Sequence, residues 1–238
     1  MVTSESETTI GGKAVKAMIL AAGRGKRMMP LTEYMPKPML TVNGKPLLQY
    51  HIERLASAGI KEIVINLAWC GDVIRSTLGD GSEFGVRLIY SDEGGEGLET
   101  AGGIINALDL LSDTFIVING DIYTDYDVSS LTQIALLPHQ AHLVLVENPE
   151  HNPSGDFSIL QGFAHCDENR EDKHTFAGIA LYHKSFFAER ETAFLPLAPM
   201  LREKMAEKLV TAELYIGKWF DIGTPERLAE INQQELNS

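Results

Sequence analysis

Four cations, Arg24, Lys26, Arg27 and Lys37, fall within a span of fourteen residues in the stretch LAAGRGKRMMPLTEYMPKP, Leu20 to Pro38, and Gly23 and Gly25 stand among them. Glycines remove side chains, so backbone N–H groups can approach a phosphate closely, and the cations neutralise it. The chain as a whole carries a formal charge of −13. Its overall field repels nucleic acid and anionic lipid, and a basic turn within it reads as a local anion site. Two familiar phosphate motifs are absent. A dinucleotide fingerprint needs a third glycine where Met28 stands, and no GxxxxGK[ST] occurs.

Two carboxylates could serve such a site. In VINGDIYTDY, Val117 to Tyr126, an apolar run ends at Asn119-Gly120-Asp121. A carboxylate at the carboxyl end of a strand faces the crevice where open α/β sheets place ligands, so Asp121 could hold Mg²⁺ beside phosphates. An ordinary Asn-Gly turn, with Asp125 and Asp127 capping the next helix, accounts for the residues equally well. In KWFDIGTPERL, Asp221 lies between Phe220 and Ile222, where burial without a cation or a hydrogen-bond network is costly. A structural aspartate bonding turn N–H groups competes with a ligand role. In GGEGLETAGGI, Gly94 to Ile104, small residues let a flat base lie against the backbone, and a helix N-terminus there favours nearby negative charge; a flexible glycine loop is the plainer reading. Cys70 and Cys166 form no CxxC pair, so neither a disulfide framework nor a zinc site is expected, and His139/His142 reads as incidental.

These residues need strand ends to hold them. From Val15 short apolar runs alternate with helix-period stretches, the pattern of strand–helix units in a mostly parallel sheet. Strands are expected at residues 16–22, 62–66, 86–90, 114–119, 142–147, 156–160, 176–182 and 209–215. Helices are expected at 47–58, 100–111, 129–137, 198–207 and 225–236. The fold class is α/β, a doubly wound, Rossmann-like sheet flanked by helices. Strands crowd after Leu137 and DENREDKH, 167–174, reads as a solvated tip, so a small antiparallel insertion is expected in the second half. With 238 residues and 44% apolar content, residues 15–238 are expected to form a single domain behind a disordered extension, 1–14. That opening lacks a charged n-region and an apolar h-region, so a cytoplasmic location is expected.

LAAGxGxRMxPLTxxxPKP, then NGD about a hundred residues on, then WxDIGTPERL, resemble the sugar-1-phosphate nucleotidyltransferase family in both content and order, from about Lys16 to Ile231. The resemblance implies an enzyme that joins a nucleoside triphosphate, UTP in first place, to a sugar 1-phosphate with Mg²⁺ as cofactor. It implies that Ala22, Gly23, Gly25, Lys26 and Arg27 hold the triphosphate, Gly97 the base, Lys37 the sugar phosphate, and Asp121 with Asp221 the metal. It implies further that Asn119, Gly155, Asp156 and Gly178 face the sugar and that Arg27, Lys37, Asp121 and Asp221 form the catalytic set. Lys26 stands where many relatives have Thr, which removes a hydroxyl contact. The chain stops soon after TPERL, so the β-helix that some relatives append is not expected, and no protein partner is implied. Mannose-1-phosphate with GTP, glucose-1-phosphate with dTTP, and a catalytically silent sugar-nucleotide sensor remain open.

Overall fold

The computed structural model describes residues 7–236 apart from Gly11, Glu96 and Glu189. One nine-stranded sheet dominates: β1 (Lys16–Leu20), β2 (Glu62–Leu67), β3 (Arg87–Asp92), β4 (Thr114–Asn119), β5 (Ala141–Val146), β6 (Phe157–Leu160), β7 (Phe163–His165), β8 (Lys173–His183) and β9 (Val210–Tyr215). From one edge the order runs β3-β2-β1-β4-β8. Strands β1 to β4 pair in parallel, and β8 runs against β4. Beyond β8 the sheet forks. One branch is β5, antiparallel to β8 and parallel to β9; the other is the β6–β7 hairpin, which reaches β9 through Phe163 and Thr211. The fork is the antiparallel insertion that the crowded second half predicts.

Alternation along the strands explains why both faces are covered. Ala17, Ile19, Ile63, Ile65, Ile116 and Ile118 project into one apolar cluster, joined by Leu48, Ile52 and Leu55 of α1 (Leu47–Ser57) and by Ile74 and Leu78 of α2 (Gly71–Leu78). Met18, Val64, Phe115 and Val117 project into a second, with α3 (Glu99–Ala107) and α4 (Leu197–Ala206). Period two sends consecutive side chains to opposite faces, so a run that is apolar at every position needs helices on both. A smaller cluster joins Met28, Leu47 and Ile222 to Ile231 of α5 (Pro225–Leu236).

Several expectations need correction. The helix expected at 129–137 is only 3₁₀ turns over Val128–Gln133. Ser130 and Thr132 hydroxyls donate to Asp127 O and Ser129 O, and Asp127 accepts from Ser129 N–H; such local bonds compete with an α-helix. Helix α2 was not expected, because GDVIRSTL opens on glycine and is rich in β-branched residues. The expected disordered extension falls partly on residues 1–6 and Gly11, outside the described residues. Of its remainder, Thr9–Ile10 pairs with Lys13–Ala14, and Thr8 donates through N–H to Gly59 O and through its hydroxyl to Ala58 O.

Phe115 is fully buried and stacks on Phe187 with centroids 6.2 Å apart, close also to Tyr182. Phe115→Ala is expected to destabilise the fold by about 3–5 kcal/mol, the usual result of emptying a buried aromatic site. The shift of the urea midpoint at unchanged slope measures it.

Candidate active site

Many of the expected site residues gather at the carboxyl ends of β1, β2, β3 and β4. A cleft of about 550 Å³ is lined by Ala22, Gly23, Lys26 and Lys37 from the first segment, Asn119 and Asp121 from the second, and Gly97 from the glycine loop. A smaller cavity of about 200 Å³ adjoins it, lined by Gly23, Gly25, Lys26, Arg27, Lys37, Asp121 and Gly223. Gly25 adopts φ +61, and a Cβ there would lie 3.0 Å from Thr32 Cγ2, so both conformation and space call for glycine.

A two-stranded ribbon brings the backbones of the two aspartates together. Ile122–Thr124 pairs antiparallel with Trp219–Asp221, Asp221 lies opposite Ile122, and Ile222 N–H donates to Asp121 O at 2.9 Å. The carboxylates are balanced differently. Asp121 forms a close ion pair with Lys37, which is 8% exposed and so has little room to point elsewhere. Asp221 Oδ2 accepts from Arg227 Nη1 at 2.7 Å and lies 3.2 Å from His151 Nε2. Among the described residues no group of three or more His, Cys, Asp or Glu could enclose a metal ion. Two hard oxygen donors suit a Mg²⁺ that keeps several waters and takes its remaining ligands from substrate phosphates. In donor chemistry Asp121 and Asp221 therefore fit a metal that takes its remaining ligands from water and phosphate.

Some expected residues lie elsewhere. Gly178 sits at a bulge where β8 slips against β5, with φ +72, and a Cβ there would collide with Asn119. It shapes the site by seating Asn119. Gly155, Asp156, Gly178 and Asp221 are not among the residues lining either cavity, although Gly223, beside Asp221, lines the smaller one. Asp156 Oδ2 accepts from Phe176 N–H at 2.8 Å and Oδ1 from Asn152 Nδ2 at 3.2 Å, which fixes the turn bearing His151. The helix N-terminus after the glycine loop has two of its N–H groups already engaged. Ala101 and Gly102 N–H both donate to Leu195 O, at 3.0 and 3.1 Å.

A network that sequence reasoning missed joins three strand ends. Asn66 Oδ1 accepts from Ala21 N–H at 2.7 Å, and Asn66 Nδ2 donates to Glu93 Oε1 at 2.5 Å. Glu93 Oε2 accepts from Leu98 N–H at 2.8 Å. Burial raises the Glu93 pKa, while the bonds from Asn66 and Leu98 oppose that rise. Gly103 must be glycine because a Cβ would strike Glu93 Oε1. Only the run of glycines, Gly102-Gly103, hinted at so close an approach. His51, buried beneath the ribbon, is driven by that burial to about 4 and stays neutral at physiological pH.

This arrangement, a cleft in which a basic glycine turn meets Asp121, with Asp221 held nearby on the adjoining ribbon, fits a nucleotide-handling transferase site. The nucleotidyl transferase family profile matches residues 16–160, and the chain belongs to that family, among the sugar-1-phosphate nucleotidyltransferases. It is 50% identical over 222 residues to N-acetylmuramate alpha-1-phosphate uridylyltransferase of Neisseria meningitidis serogroup B, covering 91% of this chain and 96% of the relative. It is 29% identical to the mannose-1-phosphate guanylyltransferase catalytic subunit beta of Drosophila pseudoobscura, covering 93% of this chain and 62% of the relative. Among solved structures, a Bacillus anthracis protein described as a glucose-1-phosphate thymidylyltransferase superposes with a TM-score of 0.81 at 23% identity, over 93% of this chain and 95% of that one. It shares the fold.

Glu93→Gln exchanges one carboxylate oxygen for an NH₂ donor, which must face either the Leu98 N–H or the Asn66 Nδ2. The lost bond loosens the glycine loop, and the KM for nucleotide is expected to rise about fivefold, one neutral hydrogen bond's worth, with the sugar-phosphate KM unmoved. Initial rates with each substrate varied in turn decide it.

Proposed function

We propose that this chain transfers the uridylyl group of UTP to N-acetylmuramate 1-phosphate, giving UDP-N-acetylmuramate and pyrophosphate, a step of cell-wall recycling carried out in the cytoplasm. The observation that supports this most is the 50% identity to the Neisseria uridylyltransferase across nearly the full length of both chains. The cleft supports the reaction type. No helix of the described residues is long and apolar enough to cross a membrane.

In this reaction an oxygen of the sugar 1-phosphate attacks the α-phosphorus of UTP. The new bond joins that oxygen to phosphorus, the bond between the α-phosphorus and the bridging oxygen breaks, and pyrophosphate leaves with the electron pair. The attacking oxygen is already ionised at neutral pH, so no general base is required. The difficulty is charge. Two unit charges 4 Å apart repel by roughly 4 kcal/mol at an effective dielectric of about 20, and several such pairs arise when two polyanions meet. Lys26, Arg27 and the N–H groups around Gly23 and Gly25 hold the triphosphate, while Lys37 holds the sugar phosphate. Gly97 leaves room for the base, and Asn119, seated by Gly178, faces the sugar. Positioning and charge stabilisation provide most of the rate. Mg²⁺ on Asp121 and Asp221 supplies further neutralisation of phosphate charge when bound.

Pyrophosphate release across a matrix of nucleoside triphosphates and sugar 1-phosphates tests the assignment. UTP with N-acetylmuramate 1-phosphate is expected to exceed every other pair. Dominance of GTP with mannose 1-phosphate, or of dTTP with glucose 1-phosphate, would replace the substrates and keep the class, and silence throughout would leave a binding protein. Asp121→Ala is expected to lower turnover by roughly 10²–10³-fold, the scale of one preorganised electrostatic element. Near-normal turnover of that variant in saturating Mg²⁺ removes Asp121 from the mechanism.

A further inference from the structure

Arg24 stands between the two glycines of the basic turn, and its guanidinium carbon lies 4.5 Å from the centroid of the Trp69 ring. The same indole donates its Nε1–H to Thr32 O at 3.1 Å, and Thr32 Oγ1 donates to Gly25 O at 2.8 Å. Thr32 is 1% exposed, so this second connection is dry at its centre. Trp69 therefore grips the turn twice, once through the Arg24 side chain and once through the Gly25 carbonyl. It comes from the segment after β2, outside every motif that carries the family likeness.

Arg24 is exposed and lines the larger cleft with Lys26 and Trp69. Among the described residues Lys37 of the cleft is ion-paired with Asp121, whereas Arg24 has no carboxylate partner and is held by the aromatic face. The distinction matters in an acidic protein. A carboxylate partner would compete with phosphate for the guanidinium, whereas an exposed cation–π contact is weak enough to orient it and yield it to a stronger acceptor. The place of Arg24 follows from the stereochemistry of displacement. The leaving group departs opposite the attacking oxygen; Lys37 and Asp121, which mark the attacking side, line both cavities, whereas Arg24 lines only the larger one, away from Gly223.

We propose that Arg24 contacts the β- and γ-phosphates of the nucleoside triphosphate, and so the departing pyrophosphate, and that Trp69 is the positioning residue that aims it. The proposal rests on the nucleotidyl-transfer reading, which supplies a pyrophosphate leaving group, but assigns two residues to which that reading gives no role.

Trp69 and Trp219 are the two tryptophans of the chain, so intrinsic fluorescence offers a readout independent of turnover. Pyrophosphate titrated into the full-length protein is expected to change the emission, and Trp69→Phe, which keeps Trp219, is expected to abolish that change. Arg24→Met is expected to weaken pyrophosphate binding about tenfold, the scale of one charge-assisted contact. In kinetics Arg24→Met raises the KM for UTP and, in the reverse direction, for pyrophosphate by the same factor. The KM for sugar phosphate stays within about twofold of its original value, Arg24→Lys recovers part of the loss, and Trp69→Ala exceeds Trp69→Phe. Unchanged constants for pyrophosphate and UTP in Arg24→Met overturn the proposal. So does an emission change produced equally by uridine alone, which would make the indole a platform for the base. Failure of the unaltered protein to form any nucleotide sugar sinks the class reading instead, and the pyrophosphate titration still decides this one.

Discussion

The backbone bond from Ile222 N–H to Asp121 O, 2.9 Å long, closes a loop of about a hundred residues and is the contact around which the site is organised. Without the ribbon it belongs to, Asp121 would end one strand and Asp221 would precede a helix with no reason to be neighbours. With it, the two acidic residues sit at neighbouring backbone positions, and a cation stands beside each carboxylate. Lys37 answers one and Arg227 the other. Each pairing offsets one carboxylate's charge in this part of the molecule.

The same electrostatic logic explains why a protein of net charge −13 can handle polyanions. The repulsive far field is overcome locally by a turn whose cations project from a glycine-relieved backbone. That turn is held in shape from below, by the buried Met28 and by Thr32 beneath Gly25. Fold and chemistry are thus linked at one point: a parallel strand ends, two glycines let the chain turn sharply, and the side chains that follow face the crevice at the sheet's carboxyl edge.

Much of this is legible in the residues. Strand positions follow from runs apolar at every position, and the nearly unbroken apolar content of β1, β2 and β4 already requires helices on both faces. Arg27, Lys37, Asp121 and Gly97 lie where their motifs place them along the cavities. The rest depends on contacts between distant segments, which have no local signature. Glu93 reads in isolation as one more acidic residue before a glycine run, and its link to Asn66 exists only because β2 and β3 are neighbours. Gly155 and Asp156 lie in a turn held by Asn148 and Asn152, a matter of side-chain bonding that spacing does not encode. The helix expected at 129–137 failed for a local reason, since serine and threonine there bond their own backbone.

The Leu195 segment is laced to the glycine loop at three points: its N–H reaches Leu98 O, and its carbonyl takes the N–H groups of both Ala101 and Gly102. Phe194, 68% exposed at the rim of the cleft, is carried by that lacing. The rim and the loop beneath it are therefore one mechanical unit. The aromatic ring at the entrance is thus tied by backbone bonds to the loop beneath it, although a hundred residues of chain separate them.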